Sequence, residues 1–316
     1  MTDPDSPGAD LAGRRVLVTG GAGFVGGHLA RALVPETEVV VYDHLSTGSR
    51  DAVPDDADLV VGDVRDGDDL AAAMTGVDVV FHQAAQVSVE DSVIAPLATD
   101  RTNVAGTVAV LEAARRHDAR VVLASSAAIY GQPETVPIDE DHPTDPTNPY
   151  GVSKLAADHY ARVYAEQYGL PTVPLRYFNV YGPGQTGSDY AGVVTTFLEQ
   201  ARAGDPITVE GDGEQTRDFV HVDDVVRANC LAATTDAVGE AVNVGTGTSV
   251  TIRELAERVR EATGSDAPIQ HVPGRSNDVE ASRADLTAAR ERLGFQPRVD
   301  LATGLASLCE VAAPGR

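Results

Sequence analysis

Short hydrophobic runs alternate with amphipathic stretches along the first 178 residues, and this alternation predicts the fold. Five runs, rich in valine and ended by glycine, aspartate, histidine or serine, have the pattern of buried strands: RRVLVTGG, EVVVYD, ADLVVGD, VDVVFH and ARVVLASS. Helical periodicity falls between most of them, as in DGDDLAAAM and NVAGTVAVLEAARRHD. A long helix over PYGVSKLAADHYARVYAEQYG precedes a sixth strand, PTVPLRY. Strands that alternate with helices indicate βαβ units, and hence a doubly wound parallel sheet.

The pattern changes after about Phe178 to glycine, proline and short segments, with helices predicted near 252–263 and 284–293. We therefore expect an α/β protein in which residues 1–178 form a Rossmann-type domain, with a flexible polar lead-in over residues 1–13. Residues 179–316 are expected to form mainly a smaller C-terminal α/β substrate domain. The segment around 218–246 is expected to return to the first domain. Ligands of such sheets bind outside the carboxyl ends of the strands.

The charge balance excludes two classes of partner. Formal net charge is −24, from 48 acidic against 24 basic residues, and the acids are spread along the chain. Such a surface repels nucleic acid and anionic membranes, so neither is an expected partner. The same composition is typical of proteins from salt-accumulating halophiles, where counterions screen the repulsion. A GC-rich genome would also favour arginine over lysine, but it explains the surplus of aspartate less well.

Cysteine content and hydropathy point to the cytoplasm. Cys230 and Cys309 are too few and too far apart for a disulfide framework, and no metal site is predicted. No apolar run reaches the length of a membrane-spanning helix. The acidic N-terminus MTDPDSPGAD lacks the basic and hydrophobic parts of a signal peptide. We expect a cytoplasmic protein.

A glycine-rich turn, VTGGAGFVGGHLARAL, joins the first strand to the first helix. Glycines here let the backbone turn tightly and approach a pyrophosphate, whose charge is stabilised at the helix N-terminus. Glycine spacing alone also occurs in ordinary tight turns, but here the strand–turn–helix context is present. The motif can be read as Gly20-x-x-Gly23-x-x-Gly26 or as Gly21-x-Gly23-x-x-Gly26. The predicted dinucleotide-binding residues of the turn are Gly20, Gly23, Phe24, Val25 and Gly26.

Asp43 ends the second strand, twenty residues after Gly23. A carboxylate at this position can accept hydrogen bonds from both adenosine ribose hydroxyls, but it repels a 2′-phosphate. Histidine, and not arginine, follows it at position 44. The sequence therefore favours NAD over NADP.

Lys154 is the only lysine of the chain, and Tyr150 precedes it by four residues. At helical spacing the two side chains share one face, and the charge of the lysine is expected to lower the pKa of the tyrosine and favour phenolate, a usable base. The fifth strand ends in Ser125 and Ser126, and a hydroxyl there can share a proton with a substrate hydroxyl and the phenol. Read alone, the serines are ordinary turn residues, and the tyrosine and lysine a surface pair.

Taken together, the motifs resemble a known family. TGGAGFVG, GDVRD, HQAA, SSAAIYG, YGVSK, RYFNVYGPGQ and RDFVHVDDV run in order from Thr19 to about Asp285. They resemble the extended short-chain dehydrogenase/reductase superfamily, and within it the NAD-dependent sugar-nucleotide epimerase/dehydratase family, closest to UDP-glucose 4-epimerase-like proteins. The resemblance implies NAD as cofactor, a UDP-sugar as substrate and a homodimer formed through the helices that contain Asn103 and Tyr150. Core packing would explain the apolar face of the Tyr150 helix equally well.

The resemblance also implies residue roles. The catalytic trio would be Ser126, Tyr150 and Lys154. Further cofactor contacts would come from Asp63 and Val64 at the adenine, from Gln83, Ala84, Ala85 and Asn103, and from Tyr177 at the nicotinamide end. The substrate-binding residues would be Ser126, Asn179, Arg217, Arg275, Asp278 and Ser282. Without the resemblance, the arginines would be read as solvated surface charges.

The stretch after the fifth strand favours one reaction of the family. Dehydratases and UDP-glucuronate decarboxylases that resemble this chain carry carboxyl groups where it has Ala127 and Ala128. Their absence favours 4-epimerisation, in which hydride passes from C4 to NAD and returns to the opposite face of a transient 4-keto sugar. The alternatives are a UDP-glucuronate 4-epimerase, a lyase with its acid elsewhere, and a non-catalytic NAD-binding regulatory protein. The small Ser282 suggests room for an N-acetyl group at C2, and hence the N-acetylated substrate pair as well.

Overall fold

A computed structural model of the 316-residue chain describes residues 7–185, 192–274 and 278–311. Its strands are β1 (Arg15–Thr19), β2 (Glu38–Asp43), β3 (Asp58–Val61), β4 (Val79–His82), β5 (Arg120–Ser126), β6 (Thr172–Tyr177), β7 (Asn179–Tyr181), β8 (Ile207–Glu210), β9 (Thr216–Arg217), β10 (Phe219–His221), β11 (Val242–Val244), β12 (Val250–Thr251) and β13 (Ile269–Val272). Its α-helices are α1 (Phe24–Leu33), α2 (Gly67–Ala73), α3 (Val89–Ile94), α4 (Pro96–Asp100), α5 (Gly106–Arg116), α6 (Pro149–Tyr168), α7 (Val193–Ala203), α8 (Val222–Ala232), α9 (Ile252–Thr263), α10 (Thr287–Leu293) and α11 (Leu301–Val311). One π-helical turn, Arg101–Ala105, leads into α5, and a 3-10 helix, Ala127–Tyr130, follows β5.

Seven parallel strands form the central sheet, in the order β11-β6-β5-β4-β1-β2-β3. The strand order reverses between β1 and β4, which places a ligand-binding crevice at the carboxyl ends of these two strands. The predicted doubly wound sheet is confirmed, and each of the six predicted strands is present. Helices α2, α5 and α6 cover one face, and α1, α8 and α10 cover the other. Because both faces are buried in every strand except the edge strand β3, whose Val60 and Val61 are exposed, these strands are continuous apolar runs and do not alternate with polar residues.

The C-terminal part contains three two-stranded sheets, formed by β7 with β10, β9 with β12, and β8 with β13. Helices α7 and α9 pack together there over a separate hydrophobic cluster that includes Phe197 and Leu255. The segment around 218–246 lies instead with the large sheet, since α8 packs against α1 and β11 forms an edge strand beside β6.

The expected flexible lead-in over residues 1–13 differs from the structure of residues 7–13. Residues 9–11 form a 3-10 helix, and Leu11 is fully buried in the main core with Leu33 of α1. A single leucine in a polar segment is enough to hold it, because it covers the apolar end of α1. Residues 1–6 lie outside the described ranges. In the parts of the chain that are described, no helix combines the length and the hydropathy needed to span a bilayer.

Candidate active site

The turn between β1 and α1 has the conformation that a dinucleotide requires. Gly20 has a φ of +69°, and a Cβ on it would come within 2.6 Å of the Ala84 amide nitrogen. A Cβ on Gly26 would collide with the Gly20 carbonyl oxygen. Gly23 is the N-cap of α1 and offers no capping side chain, so the first amides of the helix, starting at Phe24, are left for an anion.

Asp43 presents a fixed carboxylate beside this turn. Its side chain is buried at the end of β2 and accepts hydrogen bonds from the amides of Ala22, at 3.0 Å, and Leu45, at 2.8 Å. The Ala22 contact ties the carboxylate directly to the glycine-rich turn. Asp43 therefore lies where a ribose would extend from a pyrophosphate bound at α1.

Asp63 and Val64 follow β3, which is parallel to β2, and so they lie at the same edge of the sheet as Asp43. The Asp63 carboxylate is held by the Arg65 guanidinium, whose hydrogen bonds lower the pKa of Asp63 to about 2. The Tyr42 hydroxyl donates to the Asp63 carbonyl oxygen at 3.0 Å. Val64 is buried against Gly106 of α5. The Asp63 side chain thus already has a protein partner, and Val64 belongs partly to the core.

Gln83 and Tyr177 meet at the carboxyl ends of β4 and β6, together with Asn229 of α8. The Gln83 amide donates to the Tyr177 hydroxyl at 3.2 Å and to Asn229 Oδ1 at 3.0 Å, and the Tyr177 hydroxyl donates to Asn229 Oδ1 at 3.0 Å. Burial raises the pKa of Tyr177 to about 12, against the opposing effect of these hydrogen bonds. Tyr177 is therefore a fixed neutral side chain at the floor of the crevice. Ala84 and Ala85 continue the chain from Gln83 and are partly buried.

His82 links the glycine-rich turn to the helix side of the site. Its Nδ1 lies 2.7 Å from the Thr19 hydroxyl and its Nε2 lies 3.0 Å from the Thr107 hydroxyl. Thr107 donates its own hydrogen to the Asn103 carbonyl oxygen, so Nε2 must be the protonated nitrogen and Nδ1 the acceptor. Burial, with a smaller effect of the charge on Lys154, lowers the pKa of His82 to about 3, which keeps this tautomer neutral.

Asn103 lies in the π-helical turn before α5 and is buried. Its side-chain oxygen accepts the Gln86 amide at 2.8 Å, and its nitrogen donates to the Gln86 carbonyl and the Ser153 hydroxyl, each at 2.9 Å. Ser153 in turn donates to the Tyr150 carbonyl oxygen at 2.8 Å. Asn103 thus connects the segment after β4 to the first turn of α6, as a residue that supports the site.

The start of α6 is set by local sequence. The Asn148 side chain caps the helix by accepting the Gly151 amide at 2.8 Å, and Pro149 occupies the first helical position. Gly151 is required because a Cβ there would come within 2.8 Å of the Ala128 carbonyl oxygen. This close approach brings the first turn of α6 against the 3-10 helix that follows Ser126.

The structure brings Ser126 close to Tyr150 and places Lys154, one helical turn after Tyr150, beside the end of β5. The Ser126 side chain lies close enough to the Tyr150 phenol to act on its pKa, and the Ser126 hydroxyl accepts the Ala128 amide at 3.1 Å. Lys154 is buried, and its ammonium donates to the Ala124 carbonyl oxygen at 2.9 Å. Burial lowers the pKa of Lys154 to about 8.

The expected effect of Lys154 on Tyr150 is not seen in this structure. Burial raises the pKa of Tyr150 above its ordinary value, and the opposing influence is the hydrogen bond from Ser126. Lys154 instead directs its charge to the Ala124 carbonyl and, over a longer distance, to His82. Ser126 therefore opposes the rise in the pKa of Tyr150 that burial causes.

The predicted substrate-binding residues form a second group around β9. The guanidinium of Arg217 is paired with Asp278 and also donates to the Thr216 carbonyl at 2.9 Å. Burial lowers the pKa of Arg217, although Asp278 opposes this. Ser282 is buried, and its amide donates to the Thr216 carbonyl at 3.1 Å. Arg275 lies outside the described residues.

Asn179, at the start of β7, is partly exposed and donates its side-chain amide to the Asp218 carbonyl oxygen at 3.0 Å. Asp218 is fully buried, and its carboxylate accepts the amides of Thr246, Gly247 and Ala284. It thereby ties β9 and β10 to the segment that carries Ser282. A contact between the Gln132 side chain and the Glu280 amide joins this segment to the loop after Ser126.

Comparisons with known proteins show the family of the chain. Residues 16–245 match the model of the NAD dependent epimerase/dehydratase family. The chain belongs to this family. Among curated relatives it is 41% identical, over 91% of the chain and 93% of the relative, to a UDP-glucose 4-epimerase of Streptomyces lividans.

Two solved structures show the same fold. One is a UDP-glucose 4-epimerase from Thermotoga maritima with UDP-glucose, at 38% identity and a TM-score of 0.91, covering 94% of this chain and 97% of that one. The other is a UDP-N-acetylglucosamine 4-epimerase from Methanobrevibacter ruminantium in complex with UDP-N-acetylmuramic acid, at 33% identity and a TM-score of 0.91, covering 95% and 98%.

NAD is the cofactor of the epimerase/dehydratase family, and the residues present fit it. The glycine turn excludes side chains where a pyrophosphate must approach, α1 leaves its first amides uncapped, and Asp43 supplies a ribose acceptor that disfavours a 2′-phosphate.

Four supporting residues of this family member were not assigned a role by the sequence: His82, Ser153, Asp218 and Asn229. Each is a buried polar residue within or beside a recognised motif. A polar residue within an apolar strand, such as the final histidine of VDVVFH, is the signal that would have found His82. The other three lie on faces that only the packing identifies as buried.

Proposed function

We propose that the protein is an NAD-dependent isomerase that interconverts UDP-glucose and UDP-galactose by 4-epimerisation. The observation that carries the proposal is the placement of Tyr150, in the first turn of α6, beside Ser126 at the end of β5, with the buried Lys154 on the same helix face and bonded to the Ala124 carbonyl. Two further facts support it. The relatives named above are 4-epimerases, and no carboxyl group stands at positions 127 and 128, where an eliminating enzyme needs an acid.

Tyr150 is proposed as the base that accepts the proton of the 4-hydroxyl group and later returns a proton to the same oxygen. Ser126 bridges that oxygen and the phenol, and its hydrogen bond stabilises the phenolate against burial. NAD, when bound, supplies the redox chemistry, because it accepts hydride from C4 and returns it. Lys154 contributes a compact cation close to the nicotinamide end of the crevice.

The second group of residues is proposed to hold the nucleotide. Arg217, with Arg275 and Asp278, would bind the diphosphate and the uridine ribose, and Asn179 would contact the phosphates. In the described residues Arg217 is already paired with Asp278, so a diphosphate would share or replace that partner. Anchoring the diphosphate leaves the sugar free to present either face to the same base.

The test is a panel of UDP- and dTDP-sugars incubated with the protein in molar KCl, with the products identified by NMR. We expect UDP-glucose and UDP-galactose to interconvert without net loss of mass. Release of water or CO2 would instead identify a lyase, and interconversion of UDP-glucuronate alone would identify a glucuronate epimerase. No turnover of any sugar, with NAD still bound, would indicate a regulatory protein.

We propose that the N-acetylated substrate pair is used as well. Ser282 is small and buried next to β9, and the similar structure from Methanobrevibacter ruminantium is named as an N-acetylglucosamine epimerase. A Ser282→Tyr variant should lose activity on the N-acetylated substrate selectively, because the larger ring fills the space next to C2. Equal loss on both substrates would contradict this role.

A homodimer is proposed on the basis of an exposed apolar patch formed by Val93, Ile94, Leu97 and Val152. These residues lie on α3, α4 and α6, which pack together, and Ile94 and Leu97 are each more than 70% exposed. Leu155, in contrast, packs partly into the core. Light scattering should show a dimer for the wild type and a monomer for Leu97→Asp; a wild-type monomer would refute the dimer.

Two properties of the environment are also proposed. The net charge of −24 supports a halophilic protein, and circular dichroism should show loss of structure without molar salt. Full stability in dilute buffer would count against it. Both cysteines have free thiols, as in the reducing cytoplasm, and cell fractionation tests that location.

A further inference from the structure

Behind the catalytic trio lies a buried ion pair with no place in the chemistry described so far. Asp158 of α6 and Arg176 of β6 are 0% and 2% exposed. The Arg176 Nε lies 3.0 Å from Asp158 Oδ2, and its terminal nitrogen lies 3.1 Å from Oδ1, so the pair is bidentate. The Ser125 hydroxyl donates to Asp158 Oδ2 as well, at 2.8 Å.

The residues of this pair are in register with the catalytic ones. Asp158 follows Lys154 by four residues and Tyr150 by eight, so the three side chains lie along one face of α6. Ser125 directly precedes Ser126 on β5, and Arg176 is its cross-strand partner on β6. The anchor therefore joins the helix that carries the phenol to the strand that carries its hydrogen-bond partner.

Arg176 also fixes the segment that follows Ser126. Its remaining donors reach the Tyr130 hydroxyl at 2.9 Å and the Glu140 carbonyl oxygen at 2.8 Å. Tyr130 ends the 3-10 helix that begins at Ala127. The chain on both sides of the Ser126–Tyr150 contact is thus held by one guanidinium group.

Such a pair contributes little net stability, because desolvation of both charges offsets their attraction. Its main effect is to restrict the orientation of α6 relative to the sheet. Apolar side chains on α6, such as Ala157 and Ala161, allow the helix to turn or slide by small amounts, whereas a bidentate pair with a third donor permits one arrangement.

We propose that Ser125, Asp158 and Arg176 form a positioning anchor that sets the rotation of α6 against β5 and thereby places the Tyr150 hydroxyl at Ser126. The inference rests on the proposed function of Tyr150 as the base. None of the three residues needs to touch the substrate, so they are positioning residues. A displacement of about 1 Å at a reacting group can reduce turnover about a hundredfold, which makes the effect measurable.

Two variants test the anchor without leaving a buried charge unpaired. Ser125→Ala removes one hydrogen bond and keeps the ion pair. The double variant Asp158→Leu, Arg176→Met replaces the pair by apolar groups of similar size, which buried pairs usually tolerate without loss of stability. The matched control is Thr172→Val, which also removes a buried hydroxyl that donates to α6, in this case to the Ala161 carbonyl at 2.6 Å, farther from Tyr150.

Three measurements distinguish a positioning role from a structural role. They are Tm, the separate changes in kcat and KM together with the pH profile of kcat/KM, and the NMR signal of the Tyr150 ring carbon that is bonded to oxygen. For Ser125→Ala we expect kcat to fall about tenfold, and for the double variant about a hundredfold, with KM within about twofold. The acidic limb of the kcat/KM profile should move to higher pH, because the phenol loses the hydrogen bond that favours phenolate. The Tyr150 signal should shift in both variants.

The control should lower Tm and leave kcat, the pH profile and the Tyr150 signal unchanged. Variants that retain wild-type kcat, pH profile and Tyr150 signal would overturn the anchor. The Tyr150 signal does not require turnover, so it still decides the matter if the wild type proves not to be an epimerase, a result that would refute only the proposed function.

Discussion

Two buried cations lie within two turns of each other along α6: Lys154 on the helix itself and Arg176 on β6 opposite Asp158. Within the described part of the chain, Lys154 has one hydrogen-bond acceptor, the Ala124 carbonyl, and burial lowers the pKa of Lys154 to about 8. For Arg176 burial also acts to lower the pKa, but the hydrogen bonds and charge of Asp158 outweigh it and the pKa is raised. In the described residues, Lys154 therefore has a single acceptor, whereas all three nitrogens of the Arg176 guanidinium are hydrogen-bonded.

This difference separates a cation that can interact with a ligand, Lys154, from a cation that holds the structure together, Arg176. An incompletely satisfied ammonium in the crevice is costly for folding and available to a ligand, whereas a guanidinium with every side occupied can only hold its neighbours in place. The chain uses arginine for every other cation, and the one lysine lies where a compact charge on a flexible stem has a different task from a rigid fork.

The largest effect is expected at the reacting end of the helix. Tyr150→Phe removes the proposed base, and kcat should fall by about 10²–10⁴-fold, because proton transfer must proceed without a positioned group. Steady-state kinetics with UDP-galactose measures this, and the absorbance of bound NAD shows whether the crevice is intact. Near-normal turnover would exclude Tyr150 as the base.

The next effect is expected at the buried Asp158–Arg176 pair. Arg176→Met should lower the free energy of unfolding by about 3–5 kcal/mol, because it leaves a buried carboxylate without its partner. Urea unfolding at constant salt gives the value. The double variant Asp158→Leu, Arg176→Met is the control, and it should recover most of the loss. A single variant as stable as the wild type would contradict the expected cost of removing one partner of the buried pair.

Replacing Lys154 by arginine tests whether its shape matters. Lys154→Arg keeps the charge but should reduce turnover about a hundredfold, because a planar, bulkier group is directed differently in the crevice. The reverse substitution Arg258→Lys, at an exposed position of α9, is the matched control and should be silent. A silent Lys154→Arg would make the lone lysine a matter of composition.

The smallest expected change in the free energy of unfolding is at Lys154, and its sign is opposite to that of the change expected for Arg176→Met. The pKa of Lys154 is about 8 in the folded protein and about 10.4 when unfolded, so the folded state binds this proton less tightly. Lysine burial therefore costs stability below about pH 8, and that cost disappears as the pH rises towards 10.4. Lys154→Met should raise the free energy of unfolding at pH 7 by about 1–3 kcal/mol while abolishing turnover.

Unfolding curves at pH 7 and pH 10 check this prediction. The wild type should gain stability between the two values relative to Lys154→Met, which lacks the titrating group. If the stability of both proteins depended on pH in the same way, burial of Lys154 would not destabilise the folded protein. The proposed difference between Lys154 and Arg176 would then be wrong.

Much of the fold could be predicted from the sequence, because its signals are local. Valine-rich runs, glycine at the β1–α1 turn and asparagine–proline before α6 act through their own backbone and nearest neighbours. A strand end and a helical spacing pointed to the serines and to the Tyr150–Lys154 pair, but only the family resemblance joined Ser126 with them as a trio. The prediction of a flexible lead-in did not foresee the buried Leu11. Its burial depends on contact with α1, which no local sequence pattern reveals.

The sequence by itself thus determined the alternation of strands and helices over the first 178 residues, the glycine turn with Asp43, and the spacing that aligns Tyr150 with Lys154. Only the tertiary structure decided which charges are buried and with what partners. Asp158 and Arg176 are 18 residues apart and look like surface residues, yet they form the innermost ion pair of the described chain. Likewise, burial and Ser126 control the acidity of Tyr150, because desolvation depends on every surrounding atom and not on the residue four positions away.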